Sequence, residues 1–168
     1  TLPDETISVC AGENYGFLDD TAQTVNAALA LYQSTLDGAW LDWAVTLART
    51  MLTCFSARQE PGFRMTPGGA EKLFVRPVET YDGALPSGNA AALEALAALA
   101  ALDVGGGWRD AAQKQLSFLA PMLAEAPQEH AAALLAAMPL LYSARLLECR
   151  ASAAENEALL AALHGRYT

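Results

Sequence analysis

Ala90-Ala91-Ala92-Leu93-Glu94-Ala95-Leu96-Ala97-Ala98-Leu99-Ala100-Ala101-Leu102 is a run of alanine and leucine broken by one charge, Glu94. Both residue types favour helix strongly. A helix that is apolar all round is stable only when covered on every side. The stretch therefore predicts a fully buried helix, and the fold is decided by what surrounds it.

Downstream, Gly105-Gly106-Gly107 ends the segment and a two-faced helix is expected over roughly Trp108 to Ala124. Trp108, Ala112, Leu119 and Met122 oppose Arg109, Asp110, Gln113 and Lys114, and Pro121 predicts a kink or an early end. Pro127 to Tyr142 reads as another nearly apolar helix, with Gln128, Glu129 and His130 confined to its first turn.

Upstream, Leu18, Ala22, Val25, Leu29, Tyr32 and Leu36 recur at helical spacing, so a helix opens near Phe17. Asp19 and Asp20 fall in its first turn, where carboxylates suit the helix dipole, and Gly38 stands at the stop position. From about Trp40 to Phe55, Trp40, Ala44, Leu47, Met51 and Phe55 form an apolar stripe opposite Asp42, Thr46, Arg49, Thr50 and Thr53. Helices of inner type thus alternate with helices of outer type. This order predicts a mainly α chain forming a partial α/α-toroid, because an ordinary bundle would give each helix a wet face.

The helical period breaks between Gln59 and Pro77. Gly62–Thr66 and Lys72–Arg76 flank a Pro67-Gly68-Gly69-Ala70-Glu71 loop and predict a small β-hairpin insertion. At the other end, Ala144–Cys149 reads as a strand or the end of the preceding helix, and Ala153–His164 as a final helix. The expected organisation is a partial toroid over residues 1–143 and a strand-helix tail over 144–168.

Apolar residues make up 53% of the 168 and charged ones 17%, with a net charge of -9. No apolar run reaches the ~18 residues of a membrane span, so no membrane association is expected. The surplus apolar surface is expected to meet other protein. Lysine and arginine form no stripe, which argues against nucleic acid. The chain opens on Thr1 without a leader-like segment, which fits a fragment of a longer protein. Cys10, Cys54 and Cys149 lack metal or redox spacing. They are expected to be buried or half-buried thiols in a reducing, cytoplasmic setting, with no metal and no cofactor.

Polar residues recur at the starts of the inner helices: Asp19 and Asp20, then Arg76, Asp82, Ser87 and Asn89, then Glu129 and His130. In a ring of hairpins these starts share one face. Asp19, Asp20 and His130 are candidate proton-transfer residues; Arg76, Asp82, Ser87 and Asn89 are candidate ligand-binding ones. Each also has a structural reading: the carboxylates, and Ser87 or Asn89, as helix caps, His130 as a satisfied helix-end residue, and Arg76 as a partner of Glu79 or of an acidic helix end.

Gly16-Phe17-Leu18-Asp19-Asp20, Leu31-Tyr32-Gln33, Trp40-Leu41, Gly62-Phe63, Arg76-Pro77 and Asp82-Gly83-Ala84-Leu85-Pro86-Ser87-Gly88-Asn89 occur in that order. In these blocks the chain resembles the C-terminal part of the spermatogenesis-associated, thioredoxin-domain-containing protein family. The resemblance implies a six-hairpin, glycosidase-like toroid and a tail with a strand over Arg145–Cys149 and a helix over Ala153–Tyr167. It also implies a thioredoxin-like domain and further hairpins elsewhere, so the partners expected are the rest of the toroid and that domain, or a second chain, with a small polar ligand at the mouth. A sugar-active hydrolase or epimerase and a structural or interaction segment without a ligand are the alternative readings.

Overall fold

The computed structural model describes residues 16–56, 61–68, 76–102 and 104–142, with 157–158 and 161–162. It is mainly helical: α1 (Leu18–Thr35), α2 (Gly38–Cys54), α3 (Gly88–Ala101), α4 (Trp108–Glu125), a 3-10 turn (Pro127–Glu129) and α5 (Ala131–Leu141). Among the described residues there is no strand, only an isolated antiparallel bridge between Ser56 and Phe63.

The Ala/Leu stretch becomes α3, which packs against α1, α4 and α5. Ten of its 14 residues are buried, as its composition requires. Leu93, Leu96 and Leu99 are wholly buried, each contributing about 2 kcal/mol of apolar transfer free energy. Glu94 keeps one side wet and accepts a hydrogen bond from the Asn26 amide of α1 at 3.1 Å.

α1 opens where Asp20 turns back and its carboxylate accepts the Phe17 backbone N–H at 3.2 Å, satisfying a donor that the helix itself cannot. Its predicted face is buried through Leu18, Ala22, Val25 and Leu29, but Tyr32 is only half-buried and Leu36 is exposed. The stop differs from expectation. Leu36, at φ 55°, takes the left-handed position, at a cost of about 1 kcal/mol for a residue with a Cβ. Gly38 instead begins α2, which Asp37 caps by accepting the Ala39 N–H at 3.0 Å.

α2 covers α1 with Ala44, Leu47, Ala48 and Met51. α4 covers α3 with Trp108, Ala112, Leu116 and Leu119. Pro121 does not end α4, which runs on to Glu125. A proline removes its own N–H from the ladder and crowds the carbonyl one turn back, yet the helix continues to a C-cap where the Ala126 N–H bonds the Met122 carbonyl at 2.9 Å.

α5 departs further from its reading. Pro127–Glu129 forms a separate 3-10 turn and the α-helix begins only at Ala131, with His130 as its N-cap. Its small face, Ala133, Ala136 and Ala137, is buried, while Leu135, Leu141 and Tyr142 are 73%, 65% and 66% exposed.

The second arm of the expected hairpin and the strand of the tail lie outside the described residues. So does most of the final helix, of which residues 157–158 and 161–162 are helical. In the first arm, Arg64 N–H bonds the Phe55 carbonyl at 2.9 Å and Met65 N–H the Pro77 carbonyl at 2.8 Å. Cys54 is disulfide-bonded, not the free thiol expected. No helix among the described residues is long and apolar enough to cross a membrane.

Candidate functional site

The starts of α1 and α3 meet face to face. Gly88 is the residue that permits this: a Cβ there would lie 3.0 Å from Leu18 Cδ2 and 3.2 Å from the Asp19 nitrogen. The Leu18 N–H bonds the Met65 carbonyl at 3.0 Å, which fixes the 63–68 segment beneath. The 79–87 loop closes the other side and leaves a cleft of about 210 Å³, with Asp19, Met65, Glu79, Tyr81, Leu85 and Ser87 among its walls.

The loop is held by Asp82. One carboxylate oxygen accepts the Ser87 N–H at 2.9 Å and the other accepts the Ala132 N–H of α5 at 2.8 Å. Its own N–H donates to the Glu129 carbonyl at 2.9 Å. Asp82 therefore ties the loop to the start of α5, fifty residues on in the chain. Ser87 caps α3, its hydroxyl accepting the Ala90 N–H at 3.2 Å.

Asn89 has no exposed surface, and its amide behaves as an extra peptide group. Its oxygen accepts the Phe63 N–H at 2.9 Å and its nitrogen donates to the Phe63 carbonyl at 3.0 Å and the Glu79 carbonyl at 2.7 Å. Gln115 Nε2, from α4, donates to the same Asn89 oxygen at 2.9 Å. Both lone pairs and both N–H groups are used, which a buried amide requires. Asn89 lines the inner end of the cleft, but this amide is already committed.

Arg76 is likewise engaged. Its guanidinium donates to the Thr66 carbonyl through both Nε and Nη2 and to the Cys54 carbonyl at 3.5 Å. Burial, and then the positive charge of Arg64, lowers its pKa below the usual arginine value. It neither pairs with Glu79 nor enters the cleft. His130, 7% exposed, directs Nδ1 at the Ala126 carbonyl at 3.0 Å. Since a carbonyl only accepts, that nitrogen carries the proton.

Of the predicted residues, Asp19, Ser87 and Asn89 meet at the cleft; Asp20, Arg76, Asp82 and His130 do not line it. Asp19, exposed in the first turn of α1, and the exposed Glu79 are its acidic walls. The sequence offers Glu79 only as an ion-pair partner of Arg76, gives Tyr81 beside Asp82 no role, and leaves Gln115 on neither named face of α4. Gln115 alone left a signal, being a polar residue one turn from Leu119 and Ala112. A larger open groove of about 1230 Å³ beside α4, with Leu52, Phe63 and Phe118 in its walls, holds none of the predicted residues. No group of His, Cys, Asp or Glu among the described residues is placed to hold a metal ion.

No family model matches the chain. It is 35% identical over 91 residues to spermatogenesis-associated protein 20 of Homo sapiens, covering 53% of this chain and 12% of that protein. To the Mus musculus protein of the same name it is 32% identical over 98 residues, covering 57% of this chain and 12% of that one. The similarity is distant, and the match spans about 12% of the length of these curated relatives.

Proposed function

We propose that this chain is a segment of a six-hairpin, glycosidase-like α/α-toroid in a longer protein, and that the cleft at its helix starts binds a small polar ligand of carbohydrate type. The alternation supports the ring: α1 and α5 flank α3, while α2 covers α1 and α4 covers α3. The observation carrying the ligand reading is the cleft itself. Acidic (Asp19, Glu79), aromatic (Tyr81) and apolar (Met65, Leu85) residues line it from separate segments, the mixture expected for a ligand with hydroxyls on its rim and an apolar face.

Binding is better supported than catalysis. Asp20 is engaged with the Phe17 N–H and His130 with the Ala126 carbonyl, and neither lines the cleft that Asp19 lines. On this reading the distant similarity to spermatogenesis-associated protein 20 makes the rest of the ring and a thioredoxin-like domain, or a second chain, the partners.

The exposed leucines of α5 favour a second reading, that the segment serves only to pack against a neighbour. A two-dimensional NMR titration with neutral monosaccharides separates the two. Saturable shifts confined to residues 18–20 and 79–89 are expected for the cleft. Shifts nowhere, or scattered without saturation, would leave the packing role alone.

A further inference from the structure

We infer, resting on the ligand reading above, that Gln115 of α4 is a positioning residue for the cleft. Acting through Asn89, it holds in place two backbone segments, residues 63–65 and 77–79, that build the cleft wall. The α4 helix thereby sets how well the cleft binds.

The two segments lie side by side at the start of α3. At one end they are joined directly, the Met65 N–H bonding the Pro77 carbonyl at 2.8 Å. At the other end the Asn89 side chain joins them. Its Nδ2 donates to the Phe63 carbonyl at 3.0 Å and to the Glu79 carbonyl at 2.7 Å, while its Oδ1 accepts the Phe63 N–H at 2.9 Å. Met65 and Glu79, one from each segment, line the cleft, and so does Asn89. A displacement of the Asn89 amide therefore carries both segments with it.

Those three bonds leave one lone pair of Asn89 Oδ1 open. Gln115 fills it, its Nε2 donating to Oδ1 at 2.9 Å and to the Asn89 backbone carbonyl at 3.2 Å. Gln115 is 3% exposed and shares the buried face of α4 with Ala112, Leu116 and Leu119. A leucine there would bury apolar surface without desolvating an amide, so packing does not account for a glutamine. The bond to Asn89 does, because a buried polar network is rigid when every member is bonded. Gln115 lines the groove beside α4 and not the cleft, so its influence on a ligand passes through Asn89.

The test compares neighbouring substitutions on α4. Gln115→Met keeps length and bulk and removes the donor; Gln115→Leu removes the same donor if that variant does not fold. Leu116→Ala is the control, since Leu116 packs in the core with Leu93 and Leu119 and its truncation lowers stability without removing a bond to Asn89. Wild type and variants are titrated with neutral monosaccharides by two-dimensional NMR under conditions where each is folded. Gln115→Met is expected to bind about fivefold more weakly, the low end of coupling between sites, with the Phe63 amide resonance already shifted before ligand is added. Leu116→Ala is expected to bind as the wild type does. Wild-type affinity in Gln115→Met, or an equal loss in Leu116→Ala, overturns this inference while leaving the ligand reading intact. Failure of the wild type to bind saturably overturns the ligand reading and this inference with it.

Discussion

α3 and α5 are nearly the same helix in composition and opposite in surroundings. Both are alanine and leucine with hardly a polar residue. α3 lies among α1, α4 and α5 and buries leucines on every side. α5 rests its alanine face on α3 and presents Leu134, Leu135, Met138 and Leu141 outward. Apolar composition thus states that a surface is to be covered. It does not state by what.

Substitutions can break this comparison. The largest effect is expected in α3: Leu96→Ala should lower the free energy of unfolding by about 3 kcal/mol, through lost transfer energy and the cavity left behind. Leu135→Ala on α5 should change it by no more than about 0.5 kcal/mol. Urea denaturation monitored by circular dichroism compares them directly, and similar losses would mean that α5 is covered in solution.

Next in size is the polar seam beneath α3. Asn89→Ala leaves the backbone groups of Phe63 and the Glu79 carbonyl without their partner. A loss of about 2 kcal/mol is expected by the same measurement. Asp82→Ala should cost about 1.5 kcal/mol. Hydrogen exchange should locate that loss at the start of α5, where the Ala132 amide loses its acceptor. The smallest effect on stability belongs to Leu135→Glu with Leu141→Glu on the exposed face. The folded state should keep its stability within about 0.5 kcal/mol. Any self-association seen by sedimentation should weaken, because charge replaces the apolar contact.

Features set by local chemistry were legible in the sequence. The burial of α3 followed from the run Ala90–Leu102, and the cap of Ser87 from a small hydroxyl residue before a helix. The roles of Asn89 and Arg76 were not. Their partners are backbone groups 26 and 10 residues away, and nothing in a polar side chain's identity announces which distant carbonyl or amide it meets. Leu36 in a left-handed position is not legible for a related reason, and Pro121, which reads as a kink or an early end, is carried through to Glu125. Packing of α1 on α2, and of α4 on α3, outweighs a local penalty of about 1–3 kcal/mol. The cleft combined both kinds of feature, with Asp19 visible as a helix-start acid and Glu79 becoming a wall only once the loop folds beside it.

The polar helix starts divide into residues whose side chains hold the fold, such as Asp82, and residues such as Asp19 that the proposed ligand would meet. Asp19 and Asp82 are the paired test, because each is an aspartate of the same motif-bearing segments. The direct measurement takes Asp19→Asn and Asp82→Asn through urea denaturation and a titration with a neutral monosaccharide side by side. The account predicts that Asp19→Asn keeps its stability within about 0.5 kcal/mol and binds more weakly. It predicts that Asp82→Asn loses stability yet binds normally while folded. Normal binding by Asp19→Asn, or lost binding by a fully stable Asp82→Asn, would contradict it.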